Sequence, residues 1–186
     1  MSCSVTSGIT IDCRDDIGGI KKIFIGTSEI DLINNSTTAS DANGVLTAVP
    51  AATVYEFEVR PEKCSLRVNI NSSPENGTVF YEQTLSFVIE ELDSADQEQL
   101  ELLAKGRPFV VAFTNNDDLI LLGAVNGMDV SGGSAESGTG FGDFSGYNIE
   151  MRGRETDRLF QYLTVETNLG ADDYPFGSSV GITLAS

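Results

Sequence analysis

The chain has 186 residues and a formal net charge of −17, with 28 Asp and Glu against 11 Lys and Arg and no histidine. That length suits one domain, large enough to bury about 70% of its unfolded surface without covalent staples. The acidic balance excludes the basic face that tight DNA or RNA binding needs, and the missing histidine removes the commonest general base and metal ligand.

Three cysteines, Cys3, Cys13 and Cys64, lack Cys-x-x-Cys spacing, which argues against a structural zinc site. The opening carries no basic segment followed by an apolar run, so free thiols in a reducing compartment are expected. No stretch approaches the about 18 apolar residues of a membrane span.

In chain order, residues 1–19 are turn-rich, and Ile20 to Ile25 reads as a short strand ended by Gly26. Ser28 to Ile33 reads as its return strand, and the polar run Asn34 to Asn43 as a loop. Val54 to Arg60 alternates, with Tyr55, Phe57 and Val59 on one face and Glu56, Glu58 and Arg60 on the other. Cys64 to Ile70 repeats that period, with Leu66 and Val68 opposed to Ser65, Arg67 and Asn69. Asn71 to Gly77 holds Pro74 and Asn76-Gly77, the chemistry of a turn. Phe80 to Glu91 is a long strand candidate in which Leu85, Phe87 and Ile89 share a face.

Leu92 to Gly106 is a convincing helix, spanning about 94–105. Ser94 is the expected N-cap with Gln97 completing a capping box, and Gly106 the expected left-handed residue past the end, before Pro108. Leu92, Leu100, Leu103 and Ala104 form an apolar stripe for docking on the strands. Phe109 to Phe113 and Leu119 to Val125 are nearly all apolar and suit central strands covered on both faces. The run Asn115 to Asp118 between them is a hairpin turn, its acids serving turn chemistry rather than calcium. Ser131 to Gly146 is rich in Gly, Ser and Thr and reads as a loop. Tyr147 to Arg154 and Leu159 to Thr167 read as strands, followed by a turn-rich tail with an apolar end at Val180 to Leu184. Together these elements predict a mainly β fold, an antiparallel β-sandwich or barrel with one flanking α-helix and long loops.

Chemistry is sparse along this chain. The acid pairs Asp15-Asp16, Glu90-Glu91 and Asp172-Asp173 have nothing that sets two carboxylates across a cleft. Gly138, Gly140 and Gly142 alternate as in a phosphate loop, yet a strand follows them where a dinucleotide fingerprint needs a helix. Arg152 and Arg154 lie two apart in a predicted strand with Arg158 nearby, a local basic cluster in an acidic chain. Two readings stay open for it: cross-strand pairing with acids, or a docking patch that sets register between copies.

The run Gly77 to Leu85, the helix, the Asn115–Asp118 turn, Leu121 to Ala124 with Asn126-Gly127, Ser131 to Gly133, Gly142-Asp143, Gly146-Tyr147 and Gly153 to Glu155 resemble pieces of virion proteins of Bacteroidetes-infecting phages. The opening Asp12 to Lys21 is similar to theirs, and the likeness covers about residues 8–160. Within that group, the strand order with one helix looks like the major tail tube proteins of long-tailed phages. The resemblance implies one tail-tube-like β domain over residues 1–186 with extended terminal segments. It further implies a homo-oligomer of stacked, commonly hexameric rings around a channel for DNA, in the virion tail, after assembly in the host cytoplasm with other virion proteins.

An acidic lumen would let DNA pass without tight binding, and the absence of catalytic residues suits a structural part with no cofactor and no membrane. Glu56 and Glu58 are the candidate lumen acids. Arg152, Arg154, Arg158, Gly132, Gly133, Gly138, Gly140 and Gly142 are the candidate subunit contacts. Rival expectations are a head decoration or neck protein, and a ligand-binding β-sandwich, which the absence of Trp disfavours.

Overall fold

Alternating and continuous apolar runs put more than half of the described residues into strands, and the pairing of those strands makes two sheets. The computed structural model describes residues 8–9, 16–26, 38–40, 45–48, 52–60, 62–90, 92–156, 161–163 and 182–184. Among them the order is β1 (Ile20–Gly26), β2 (Ala39–Ser40), β3 (Leu46–Ala48), β4 (Ala52–Phe57), β5 (Cys64–Ser73), β6 (Thr78–Glu90), α1 (Ser94–Lys105), β7 (Val110–Thr114), β8 (Leu119–Leu122), β9 (Met128–Glu136), β10 (Gly146–Glu155), β11 (Gln161–Leu163) and β12 (Ile182–Leu184).

The larger sheet runs β12-β4-β1-β7-β8-β11-β3-β2, and the smaller runs β5-β6-β10-β9. The expected mainly β sandwich with one helix is what forms. The sandwich is not purely antiparallel, because β3 pairs with β11 and β4 with β12 in parallel. These pairings join segments distant in sequence, so no local pattern announced them.

Between the sheets, Ile23, Ile25, Val110, Ala112, Ile120 and Leu122 meet Leu85, Phe87, Met128, Ile149 and Met151. The opposite face of the larger sheet carries a second cluster that includes Phe24, Val54, Val111, Leu119 and Leu121. β7 and β8 are therefore buried on both faces, as their unbroken apolar runs require. Each such side chain contributes about 2–3 kcal/mol by leaving water. β1 comes so close to the β7 entry that a Cβ at Gly26 would lie 2.1 Å from the Phe109 ring.

The helix ends differ from the expected caps. Asp93, not Ser94, is the N-cap, and its carboxylate accepts from the Ser94 N–H at 2.6 Å. An extended Asp93 places its own side chain beside the first free amide, which leaves Ser94 inside the helix. Gly106 is extended rather than left-handed, and its N–H donates to the Leu102 carbonyl. Leu103 is buried in the inter-sheet core and Leu100 packs against it, whereas Leu92 and Leu102 remain exposed. The docked stripe is thus narrower than the sequence suggests.

Strand ends also moved. The hairpin of β5 and β6 is longer than expected, its turn confined to residues 74–77. β10 ends with Glu155 opposite Tyr81, so from Asn71 to Phe80 this hairpin continues as a two-stranded arm. β8 stops at Leu122 because Gly123 turns the chain at φ 63°, where a Cβ would lie 2.7 Å from the Gly127 backbone.

The largest correction falls on Ser131 to Gly146, where Ser131 to Glu136 are strand and only 137–145 is loop. Ala39–Ser40 likewise forms a short strand inside the polar run expected as a loop. The Ser28–Ile33 return strand and much of the Leu159–Thr167 strand lie outside the described residues.

Candidate functional site

The smaller sheet has one apolar face, turned to the core, and one polar face turned to solvent. Alternation puts Arg67 of β5, Glu82 and Thr84 of β6, and Glu150, Arg152 and Arg154 of β10 on the polar face. Register then lines them up: Thr84 stands opposite Arg67 on one side and Arg152 on the other, and Glu82 stands opposite Arg154. The sequence placed Arg67 on a polar face but missed its alignment with Arg152, because only strand pairing sets that row.

The reading of the basic cluster as pairing with acids has contacts here. Arg152 donates from Nε to Glu150 at 2.9 Å along its own strand. Arg154 reaches Glu82 across the sheet at 3.4 Å and lies 6.0 Å from the Phe80 ring centroid. The Ser131 hydroxyl and then Arg152 hold the Glu150 carboxyl below its ordinary value. These pairs are exposed, so each contributes little to stability. Arg158 lies outside the described residues.

Among the described residues the two lateral edges of this sheet, β5 and β9, each pair on one side. β9 is held by β10 and, at its start, by Arg107, whose Nε and Nη2 donate to both Asp129 oxygens at 2.9 and 3.0 Å. Gly132 and Gly133 belong to this edge strand. Gly133 sits where a Cβ would come 2.9 Å from the Asn148 carbonyl, so a residue of low strand preference is what this close pairing accepts.

Gly138, Gly140 and Gly142 lie in the loop between β9 and β10. Asp143 Oδ2 accepts from Thr139 N at 2.9 Å, Thr139 Oγ1 at 2.9 Å and Gly140 N at 2.7 Å. Those donors, the Thr139 and Gly140 backbone amides first, hold the Asp143 carboxyl below its ordinary value. Amides that would cradle a phosphate are therefore taken by the loop's own acid. Phe141 stands at the tip, fully exposed.

Glu56 and Glu58 do not share a sheet with the arginines. Glu56 lies on β4 of the larger sheet, half-buried, with its carboxylate 3.1 Å from Lys22 Nζ. Glu58 is exposed just beyond the strand. Glu90, at the end of β6, pairs with Arg60 at 2.6 Å and Lys63 at 3.4 Å.

The Asn115–Asp118 turn clasps the segment before β1. Asn116 Oδ1 accepts from Ile17 N at 2.8 Å, Asn115 Nδ2 donates to the Gly18 carbonyl at 2.7 Å, and Lys21 pairs with Asp117. Burial pushes the Cys64 thiol up to about 12, so this sulfur stays protonated. Among the described residues no three Cys, Asp or Glu side chains gather to hold a metal ion, and no helix is long and apolar enough to cross a membrane.

Between α1 and the β4 strand with its continuation to Arg60 lies a cleft of about 1600 Å³, lined in part by Tyr55, Phe57, Leu92, Leu100 and Leu102. Its polar groups include Glu58, Glu90, Asp96 and Arg60. Comparison of the chain with protein-family models, with curated proteins and with solved structures finds no match in any of the three.

Proposed function

We propose that this chain is a self-assembling structural subunit of a virion, of the tail tube kind, whose copies join into stacked rings around a channel for DNA. The observation that carries this reading is the smaller sheet. Its strands run 9 to 13 residues, its two lateral edges pair on one side each among the described residues, and one face is largely polar. An edge of that length is a template for another chain. Joining β5 of one copy to β9 of the next would continue the sheet from subunit to subunit and close it into a wall.

The two-stranded arm supports the same reading. It exposes Val79, with Ile70 exposed at its base, and Asn71 Nδ2 is buried there without a hydrogen-bond partner among the described residues. Both features suit a segment that is completed by a neighbour.

In such a wall the apolar face stays on the core, so the polar face is the one that meets the channel. That face mixes Arg67, Arg152 and Arg154 with Glu82, Glu150 and Asp129, and two of the arginines already hold carboxylates. Phosphate would have to displace those acids, which keeps contact with passing DNA weak. Glu56 and Glu58, on the other sheet, would lie away from this bore.

Electron microscopy of the purified protein and of particles tests the proposal. Rings or tubes with the polar face inward are the expected result. Isolated knobs on a shell, or a bore lined by the larger sheet, would overturn it.

A further inference from the structure

We infer that Phe141 is a knob that seats in the cleft between α1 and β4 of a second copy of this chain. Its surroundings separate it from an ordinary surface aromatic. The relative exposure of Phe141 is 115%, which leaves the ring without cover from the described residues. The loop beneath it is built to hold that position. Asp143 ties the Thr139 and Gly140 amides, Gly138 takes a φ of 66°, and the Phe144 ring at the root lies 5.3 Å from Lys63 Nζ. A preorganised loop loses little freedom on docking, and a rigid aromatic tip is the usual anchor of a contact.

The cleft supplies the matching surface. Tyr55, Leu92 and Leu102 line it and stand 48%, 41% and 59% exposed, with Phe57 and Leu100 beneath. Exposed apolar side chains gathered in one concavity mark a binding surface, whereas single scattered ones do not. Ser145, at the loop root, borders the same cleft. The tip of the loop nevertheless projects into solvent, so the ring that fills the cleft comes from another molecule. A second copy is the partner that always brings this ring with it.

Naming a second copy rests on the self-assembly reading, and the test separates the two. Sedimentation of Phe141→Ala and Leu102→Glu, each checked for an unchanged melting curve, should show self-association at least about tenfold weaker than the unaltered chain. Mixed together, the two variants should form a one-to-one pair, because the knob of one meets the intact cleft of the other. Unchanged association of Phe141→Ala, or a mixture that stays monomeric, would overturn the knob. Tubes built by Phe141→Ala would do the same while leaving self-assembly standing. A Phe141-dependent pair from a protein that never forms rings would uphold the knob and remove the tail tube reading. An unaltered chain that is monomeric at about 1 mM would overturn both.

Discussion

Two turns of this molecule use one device with opposite consequences. At residues 123–127, between β8 and β9, the Glu155 Oε1 atom accepts from the Val125 and Asn126 amides at 3.1 and 3.0 Å. In the 138–143 loop, Asp143 accepts from the Thr139 and Gly140 amides. The first carboxylate is 4% exposed and comes from β10, about thirty residues along the chain. The second lies in open solvent and comes from the loop itself.

Position decides what each clamp does. Glu155 is itself buried while its two bonds are part-buried, and beside it Gln83 Oε1 accepts from the buried Gly123 amide at 2.9 Å. Together they fasten the passage from the larger sheet to the smaller, so the relation of the two sheets depends on them. Asp143 fastens only its own loop, and what depends on it is the direction of Phe141.

The largest effect should follow from cutting the buried clamp. Glu155→Ala takes the acceptor from two part-buried amides and should lower stability by about 2–3 kcal/mol, or the melting temperature by about 4–12 °C. Gly123→Ala attacks the same turn through its backbone: a Cβ at φ 63° would press on the Gly127 carbonyl carbon. A loss of about 1–3 kcal/mol by denaturant titration is expected. Glu155→Gln keeps an acceptor in place and should cost about 1 kcal/mol.

Asp143→Ala should leave the melting temperature unchanged and accelerate hydrogen exchange at the Thr139 and Gly140 amides. If its effect on melting matched that of Glu155→Ala, the contrast between the two turns would fail. The pH dependence sharpens the contrast further. Because the folded Asp143 carboxyl lies below its ordinary value, the clamp is fully present above the ordinary carboxylate range. It is lost as pH falls through the depressed folded value, as order of the loop and not of the whole fold. Amide shifts of Thr139 and Gly140 followed into acid should report that transition.

How much of this was legible depends on the range of the interaction. The 115–118 hairpin turn was readable because Asn and Asp between two apolar runs act within a few residues. The Ser131–Gly146 run misled because glycine and serine were weighed by their own preferences, while the ladder partners of Gly132 to Glu136 come from β10. The basic cluster was half visible: Arg152 and Arg154 are two apart in one strand, but Arg67 joins their face through β6. Phe141 was in view as a residue of a glycine-rich segment, and nothing in its spacing told of a complete lack of cover. Glu155 and Gln83, the polar pair that joins the sheets, left no local signal.

The sequence by itself determined the central strands, the helix that interrupts them, and the side chains of those strands that face apolar surroundings. Those properties follow from the side-chain period and the local chemistry of caps and turns. Tertiary structure alone decided the parallel flanks of the larger sheet, the glycine-bearing edge strand, the alignment of Arg67 with Arg152 and the burial of Glu155. Each of these depends on which distant strand lies alongside, and a backbone donor or acceptor has the same chemistry whichever partner it finds.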